Sequence, residues 1–385
     1  MKRVFKYFFC FIFLLVFSLY ISGYGYIVSG LKSTYLRFEK SAQVDDAKFF
    51  YNDTINGSFN PFIWPKSVNY NKKKISKKLR ETLEEYKSHS FIIIHKDSLV
   101  YEEYWDQWSV ENNKSNSFSM AKTIVSLVAG IAVDKGVLNN FDQPVKSVFP
   151  NMVFYEFGKD VTIGDLLNMS SGLDWEENYY NPFNVTAKSY MTKNLSKLIL
   201  NLSFVKEPGK DYYYQSGSTQ LASLMLEKLL QDSLGVSFSD FVNDNFWGVI
   251  GAKEDALWSL DNKSGVVKSF CCFHSNAKDY AKIGKLFLDS GRVGGSSVVL
   301  KDWYFKKIKK TNINDFYSYG WWKSSYLDNP IYYMRGFLGQ FVIVVPNYDL
   351  IIVRLGRKNL RNKENPDLPT KPFETYVSEV LGEYL

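Results

Sequence analysis

The sequence predicts an α+β fold, an antiparallel sheet flanked by helices with a mostly helical region inserted between its strands. Three observations lead to this. First, Phe91-Ile92-Ile93-Ile94 and Leu99-Val100-Tyr101 flank a Lys96-Asp97 turn, which reads as a β-hairpin near one end of the chain. Second, strand-like runs return at Tyr319 to Trp322, Ile331 to Tyr333 and in a hairpin from Gln340 to Leu355, turned by Asn347-Tyr348-Asp349. Third, the stretch from Ser119 to about Leu288 carries mostly helical patterning. Strands at both ends enclosing helices imply one sheet completed by distant segments.

Taken in order, the chain opens with Lys2, Arg3 and Lys6 ahead of 25 uncharged residues, Tyr7 to Leu31. About 20 apolar residues span a bilayer, and flanking positive charge keeps that end in the cytoplasm. Residues 1–31 are therefore expected to be a membrane anchor or signal segment, with Gly23-Tyr24-Gly25 as a small-residue cleavage site in the second case. Both readings place the remainder in the periplasm or outside the cell. Residues 32–74 read as a polar connector, broken by Pro61 and Pro65, and 75–385 as one domain. That domain opens with an amphipathic helix, Ile75 to Tyr86, and closes with one from about Phe373 to Leu385.

Composition narrows the classes. The chain has 385 residues, 45% hydrophobic and 17% aromatic, which suits a large folded core and excludes disorder. The net charge of +7 comes from dispersed lysines, and the Lys72-Lys73-Lys74 and Lys306-Lys307 clusters read as solvated faces. No nucleic-acid partner is expected. Cys10 sits in the apolar run, and the adjacent Cys271 and Cys272 are expected to be two buried thiols, since a vicinal disulfide is strained. The three histidines, His89, His95 and His274, lack metal-pair spacing and a triad context, so neither metal nor cofactor is expected.

The residues that carry chemistry begin at Ser119-Met120-Ala121-Lys122. The eleven residues Thr123 to Val133 are uncharged and read as a buried helix ending at Gly136. Ser119 then lies in its first turn, where free N–H groups favour developing negative charge. Lys122 lies three residues on, on the same face, within reach of the hydroxyl. Burial in that setting lowers a lysine pKa and makes it a candidate base. A second group follows a Pro208-Gly209 turn: Tyr214 and Ser216 project from a loop just before another apolar helix. A tyrosine there can shuttle a proton. The third is Gly336-Phe337-Leu338-Gly339-Gln340, whose glycines imply close backbone approach.

S-x-x-K, then Pro-Gly with Tyr-x-Ser, then Gly-x-x-Gly-Gln resembles the serine β-lactamase and penicillin-binding protein superfamily. The chain looks most like its class C β-lactamase-related hydrolases, which include esterases, DD-peptidases and 6-aminohexanoate-dimer hydrolases. Thr162 to Leu173 and Ala277 to Phe287 agree with this, and the likeness covers roughly residues 88–385. It implies a β-lactamase/transpeptidase-like fold and an acyl-enzyme on Ser119, with Lys122 and Tyr214 as general base and acid. Ser216 would support them, and the backbone N–H groups of Ser119 and Phe337 would hold the oxyanion.

Two departures set the substrate expectation. Met334-Arg335-Gly336 stands where the superfamily has Lys or His, then Thr or Ser, then Gly, and Tyr-x-Ser stands for Tyr-x-Asn. Both favour a small or peptide-like ester or amide over a β-lactam or DD-peptide. Asp174, Trp175, Arg335 and Gly336 are the expected substrate-pocket residues. The rival from another class is a non-catalytic envelope binding or sensor domain; oligomeric state is left open.

Overall fold

The apolar runs that mark the strands are continuous, rather than alternating, because both faces of their sheet are covered. The computed structural model describes residues 2–105, 113–152, 154, 156–294, 297–310, 313–360, 362 and 365–383. In chain order its main elements begin with α1 (Lys2–Ile21), α2 (Gly25–Ser33), β1 (Asn52–Ile55) and α3 (Lys77–Glu85). The hairpin β2 (Ser88–His95) and β3 (Ser98–Tyr104) follows, then β4 (Ser115–Asn116) and α4 (Ala121–Asp134). The inserted region holds α5 (Ile163–Leu167), α6 (Val185–Met191), α7 (Leu195–Leu200), α8 (Ser216–Leu234) and α9 (Phe238–Val242). After it come β5 (Ala256–Ser259), β6 (Phe273–Ser275), α10 (Ala277–Leu288), the small hairpin β7 (Arg292–Val293) and β8 (Ser297–Val298), and α11 (Trp303–Lys309). The chain closes with β9 (Tyr317–Ser318), β10 (Trp321–Tyr326), β11 (Asn329–Gly336), β12 (Gln340–Val345), β13 (Leu350–Gly356) and α12 (Lys371–Leu381).

Seven strands form the main antiparallel sheet in the order β3-β2-β13-β12-β11-β10-β9. The N-terminal hairpin thus joins strands some 250 residues away, Ile94 lying opposite Ile351 and Phe91 opposite Arg354. One face, with Ile92, Ile94, Met334, Val342 and Val353, packs with α4, α8 and α10 in the larger core. The other, with Phe91, Ile93, Tyr333, Phe341 and Ile352, is covered by α3 and α12. Full burial of each such side chain contributes about 1.5–3 kcal/mol, so the sheet is the rigid platform for whatever stands at its ends.

A second sheet, β1-β5-β6-β4, was not foreseen, since its strands are only two to four residues long. Its strand β1 comes from the segment expected to be a connector, with Asn52 opposite Ser259 and Ile55 opposite Ala256. In that same segment Val44 and Ile55 are fully buried, and the Trp64 indole donates to the Lys278 carbonyl. Residues 44–64 are therefore laid on the body of the domain rather than hanging from it as coil. By contrast α1 is apolar, solvent-facing along its whole length and long enough to cross a membrane. The closing helix ends at Leu381, and the last two positions assigned to it lie outside the described residues.

Candidate active site

The site stands where α4, the start of α8 and the end of β11 converge. Ser119 lies in a single 3-10 turn, Phe118–Met120, that runs directly into α4. Phe118 adopts a positive φ of 45°, a sparsely populated conformation for a bulky residue. Asn116 stabilises it by accepting the Phe118 N–H at 2.8 Å and that of Cys272 at 3.1 Å. The result presents Ser119 partly exposed while twelve consecutive residues of α4, Ala121 to Ala132, are buried.

Lys122 is the charged residue inside that buried run. Its ammonium donates to Ser119 Oγ at 2.9 Å, Ser216 Oγ at 3.0 Å and the Phe270 carbonyl at 2.9 Å, using all three protons. Burial pulls its pKa down to about 8, and the nearby Glu177 charge opposes that shift. An amine poised there can accept a proton from the serine it touches.

Tyr214 approaches the same amine from the other side, its ring centre 5.0 Å from Nζ. Trp322 and Tyr317 pack its ring, and the loop behind it is pinned by Tyr213 N–H donating to the Met169 carbonyl. Burial first, and then the Glu177 charge, push the phenol well above its ordinary pKa, while a hydrogen bond with Ser119 and the Arg335 charge oppose this. The phenol therefore keeps its proton at neutral pH and is suited to donate it.

Glu177, which the sequence did not single out, completes the network. It accepts from Ser216 Oγ, Ser216 N–H and the Trp175 indole, each at 2.7 Å. The carboxylate thus caps the N-terminus of the 19-residue α8, where the helix dipole favours negative charge. Its place on a loop among other carboxylates gave no periodic signal. The Phe270 carbonyl was equally invisible, since a backbone oxygen has no sequence signature.

Gly336, at the end of β11, has its place by necessity. A Cβ there would collide with the Ser117 carbonyl, so only glycine lets the strand abut the Ser119 turn and bring Phe337 beside it. Phe337 packs edge-on against Phe118 at 5.5 Å. Strand alternation sends Met334 into the core and Arg335 to the cleft, where the guanidinium lies 4.9 Å from the Trp322 ring centre.

Of the expected pocket residues, Arg335 and Gly336 line the cleft beside Ser119 and Tyr214. Asp174 and Trp175 do not: Asp174 is exposed, and Trp175 is buried over Gly217, orienting Glu177. The expectation of two free thiols also fails, because Cys271 and Cys272 are disulfide-bonded. Cys272 has a φ of 67°, a local turn that brings the adjacent sulfurs together. His89 and His274 are buried, pushed down to about 3 chiefly by desolvation, and engage Ser115 and Ser259 rather than Ser119.

Two lobes meet at Ser119. One is mostly apolar and runs towards α2 and α6; the other holds Tyr214, Trp322, Arg335 and Asp367.

The family model for beta-lactamase matches residues 75–376. A 6-aminohexanoate-dimer hydrolase of Paenarthrobacter ureafaciens is 21% identical over 235 residues, covering 58% of each chain. The match thus spans less than two thirds of that relative's length. Among solved structures, a Bacillus anthracis protein described as a 6-aminohexanoate-dimer hydrolase superposes with a TM-score of 0.75 at 18% identity, covering 92% of this chain and 95% of the other. A family VIII carboxylesterase gives 0.60 at 14% identity, covering 83% and 98%. At these identities the superpositions establish the shared fold.

Proposed function

This chain belongs to the beta-lactamase family, and from that premise we propose that it is a serine hydrolase cleaving an ester or amide through an acyl-enzyme on Ser119. The observation that carries the reading is the continuous hydrogen-bonded chain Ser119–Lys122–Ser216–Glu177 around a buried amine. Lys122, in its neutral form, takes the Ser119 proton as Oγ attacks the carbonyl carbon. The backbone N–H groups of Ser119 and Phe337 hold the oxyanion, a contribution worth about 10²–10³ in rate per donor. Tyr214 gives its proton to the departing oxygen or nitrogen and regains one through Lys122. Water then enters by the same route in reverse and frees Ser119.

The proposed setting is the outer side of a membrane. Lys2, Arg3 and Lys6 at the start of α1 hold that end in the cytoplasm, and the domain after α2 lies beyond the bilayer. Turnover of p-nitrophenyl acetate by the full chain, lost in Ser119→Ala, is the expected result. Wild-type and Ser119→Ala proteins with equal turnover would overturn the assignment.

Ester or linear amide cleavage is preferred to β-lactam cleavage. Met334 puts a thioether in the core where the superfamily has a cation, and Arg335 is stacked on Trp322 with Nη1 3.5 Å from the Asp367 and Leu368 carbonyls. Nitrocefin turnover matching that of the ester would reverse this ranking.

A further inference from the structure

The 25-residue uncharged run does not end with α1; it continues through a turn at Gly23 into α2, which lies on the catalytic domain. Tyr26 donates its hydroxyl proton to the Pro182 carbonyl at 2.9 Å, and Tyr24 packs edge-on against Phe183 at 5.4 Å. Gly30 packs against Met191 of α6, whose sulfur also accepts a hydrogen bond from Ser33 at 3.8 Å. The consequence is a shared wall: Tyr26, Ile27 and Gly30 of α2 line the apolar lobe together with Ala187 and Met191 of α6, and the same lobe is lined by Phe337 and Ser119.

The two lobes differ in kind. The lobe under α2 is lined mostly by aromatic and aliphatic side chains, with Lys40, Ser41, Thr34 and Thr186 also on its wall, while the other carries Arg335, Asp367, Asn359 and the Tyr214 hydroxyl. A substrate that satisfies both is amphiphilic, with its scissile carbonyl at the junction. The apolar half borders the stretch of chain suited to the bilayer, where hydrocarbon chains are concentrated.

We propose that the substrate is a medium- or long-chain acyl ester, its hydrocarbon chain lying between α2 and α6 and its alcohol portion on the Arg335 side. This rests on the acyl-enzyme reading above. Ser119 Oγ bonds to the acyl carbon, the substrate C–O bond breaks, and the alcohol leaves with the Tyr214 proton. Water then cleaves the acyl-enzyme, releasing the fatty acid and restoring the hydroxyl. Each methylene placed in the lobe should raise kcat/KM roughly three- to fourfold until it is full.

The test uses the full chain in detergent micelles with p-nitrophenyl acetate, butyrate, octanoate and decanoate, rates being normalised to sites titrated with a fluorophosphonate. The wild type should prefer decanoate to acetate by more than about tenfold, and Ala187→Trp should cut that ratio at least about tenfold by filling the lobe. Ile27→Asp, on a helix outside the domain core, should cut it likewise by placing a charge in the lobe. Acetate turnover with a flat chain-length profile, or a ratio unchanged in both variants, would overturn the substrate class alone. No turnover and no labelling of any form would overturn the acyl-enzyme reading beneath it.

Discussion

Ser216 stands between Lys122 and Glu177, accepting from the amine at 3.0 Å while donating to the carboxylate at 2.7 Å. A hydroxyl with one accepting and one donating bond passes the carboxylate's influence to the lysine without letting the two charges pair directly. A direct ion pair would hold the lysine protonated and useless as a base. Burial brings its pKa down to about 8, with the Glu177 charge opposing the shift.

The pH dependence follows from that arrangement. Below about pH 8 Lys122 carries a proton and cannot accept the one on Ser119, so kcat/KM should rise with pH through a midpoint near 8. Glu177 opposes the downward shift, so Glu177→Gln should move the midpoint to lower pH. The same variant should lower the plateau about ten- to a hundredfold, because Ser216 loses a charged hydrogen-bond partner. A pH–rate profile of both proteins checks this, and a midpoint that stays put or moves up would refute it.

Gly336→Ala should be far more damaging to activity than to folding. The added Cβ must displace β11 from the Ser117 carbonyl and with it the Phe337 N–H. Overpacking of this kind costs about 1–3 kcal/mol, whereas a misplaced oxyanion donor costs about 10²–10³ in rate. Denaturant melts read beside ester turnover separate the two effects; turnover within a few-fold of wild type would count against the proposed oxyanion site.

Arg354 is buried and holds the turn that follows Gly336. Its guanidinium donates to the carbonyls of Leu338, Gly339, Tyr86 and Lys358 and to Ser88 Oγ. A Cβ at Gly339, φ 83°, would strike that guanidinium, so a side chain there would displace it. Arg354→Met should cost about 3 kcal/mol or more, since each orphaned buried carbonyl costs about 1–3 kcal/mol. Urea midpoints test it, and a change under about 1 kcal/mol would argue that water replaces the guanidinium.

What the sequence revealed were features written in neighbouring residues. Ser119 and Lys122 are three apart on one helix, Tyr214 and Ser216 flank a helix start, and the continuous β-branched runs follow from a sheet covered on both faces. What it concealed were contacts between distant segments. Glu177 reaches Ser216 from a loop 39 residues away, and Arg354 bonds Ser88 across 266. Placing the pocket at Asp174 and Trp175 missed by two or three residues, because loop side chains have no period that tells inward from outward. The Cys271–Cys272 bond depended on a backbone turn at Cys272 that composition does not reveal. The pairing of Asn52–Ile55 with β5 likewise depended on four strand residues, too few to read as a pattern.

The proposed chemistry stands on Ser119 as nucleophile and Lys122 as its base. Mass spectrometry of the intact chain after exposure to a fluorophosphonate, with the adduct mapped by proteolysis, tests it most directly. One adduct is expected, on Ser119, absent in Ser119→Ala and formed at least about 10²-fold more slowly in Lys122→Met. An adduct on another residue, or labelling of Ser119→Ala at the wild-type rate, would contradict it.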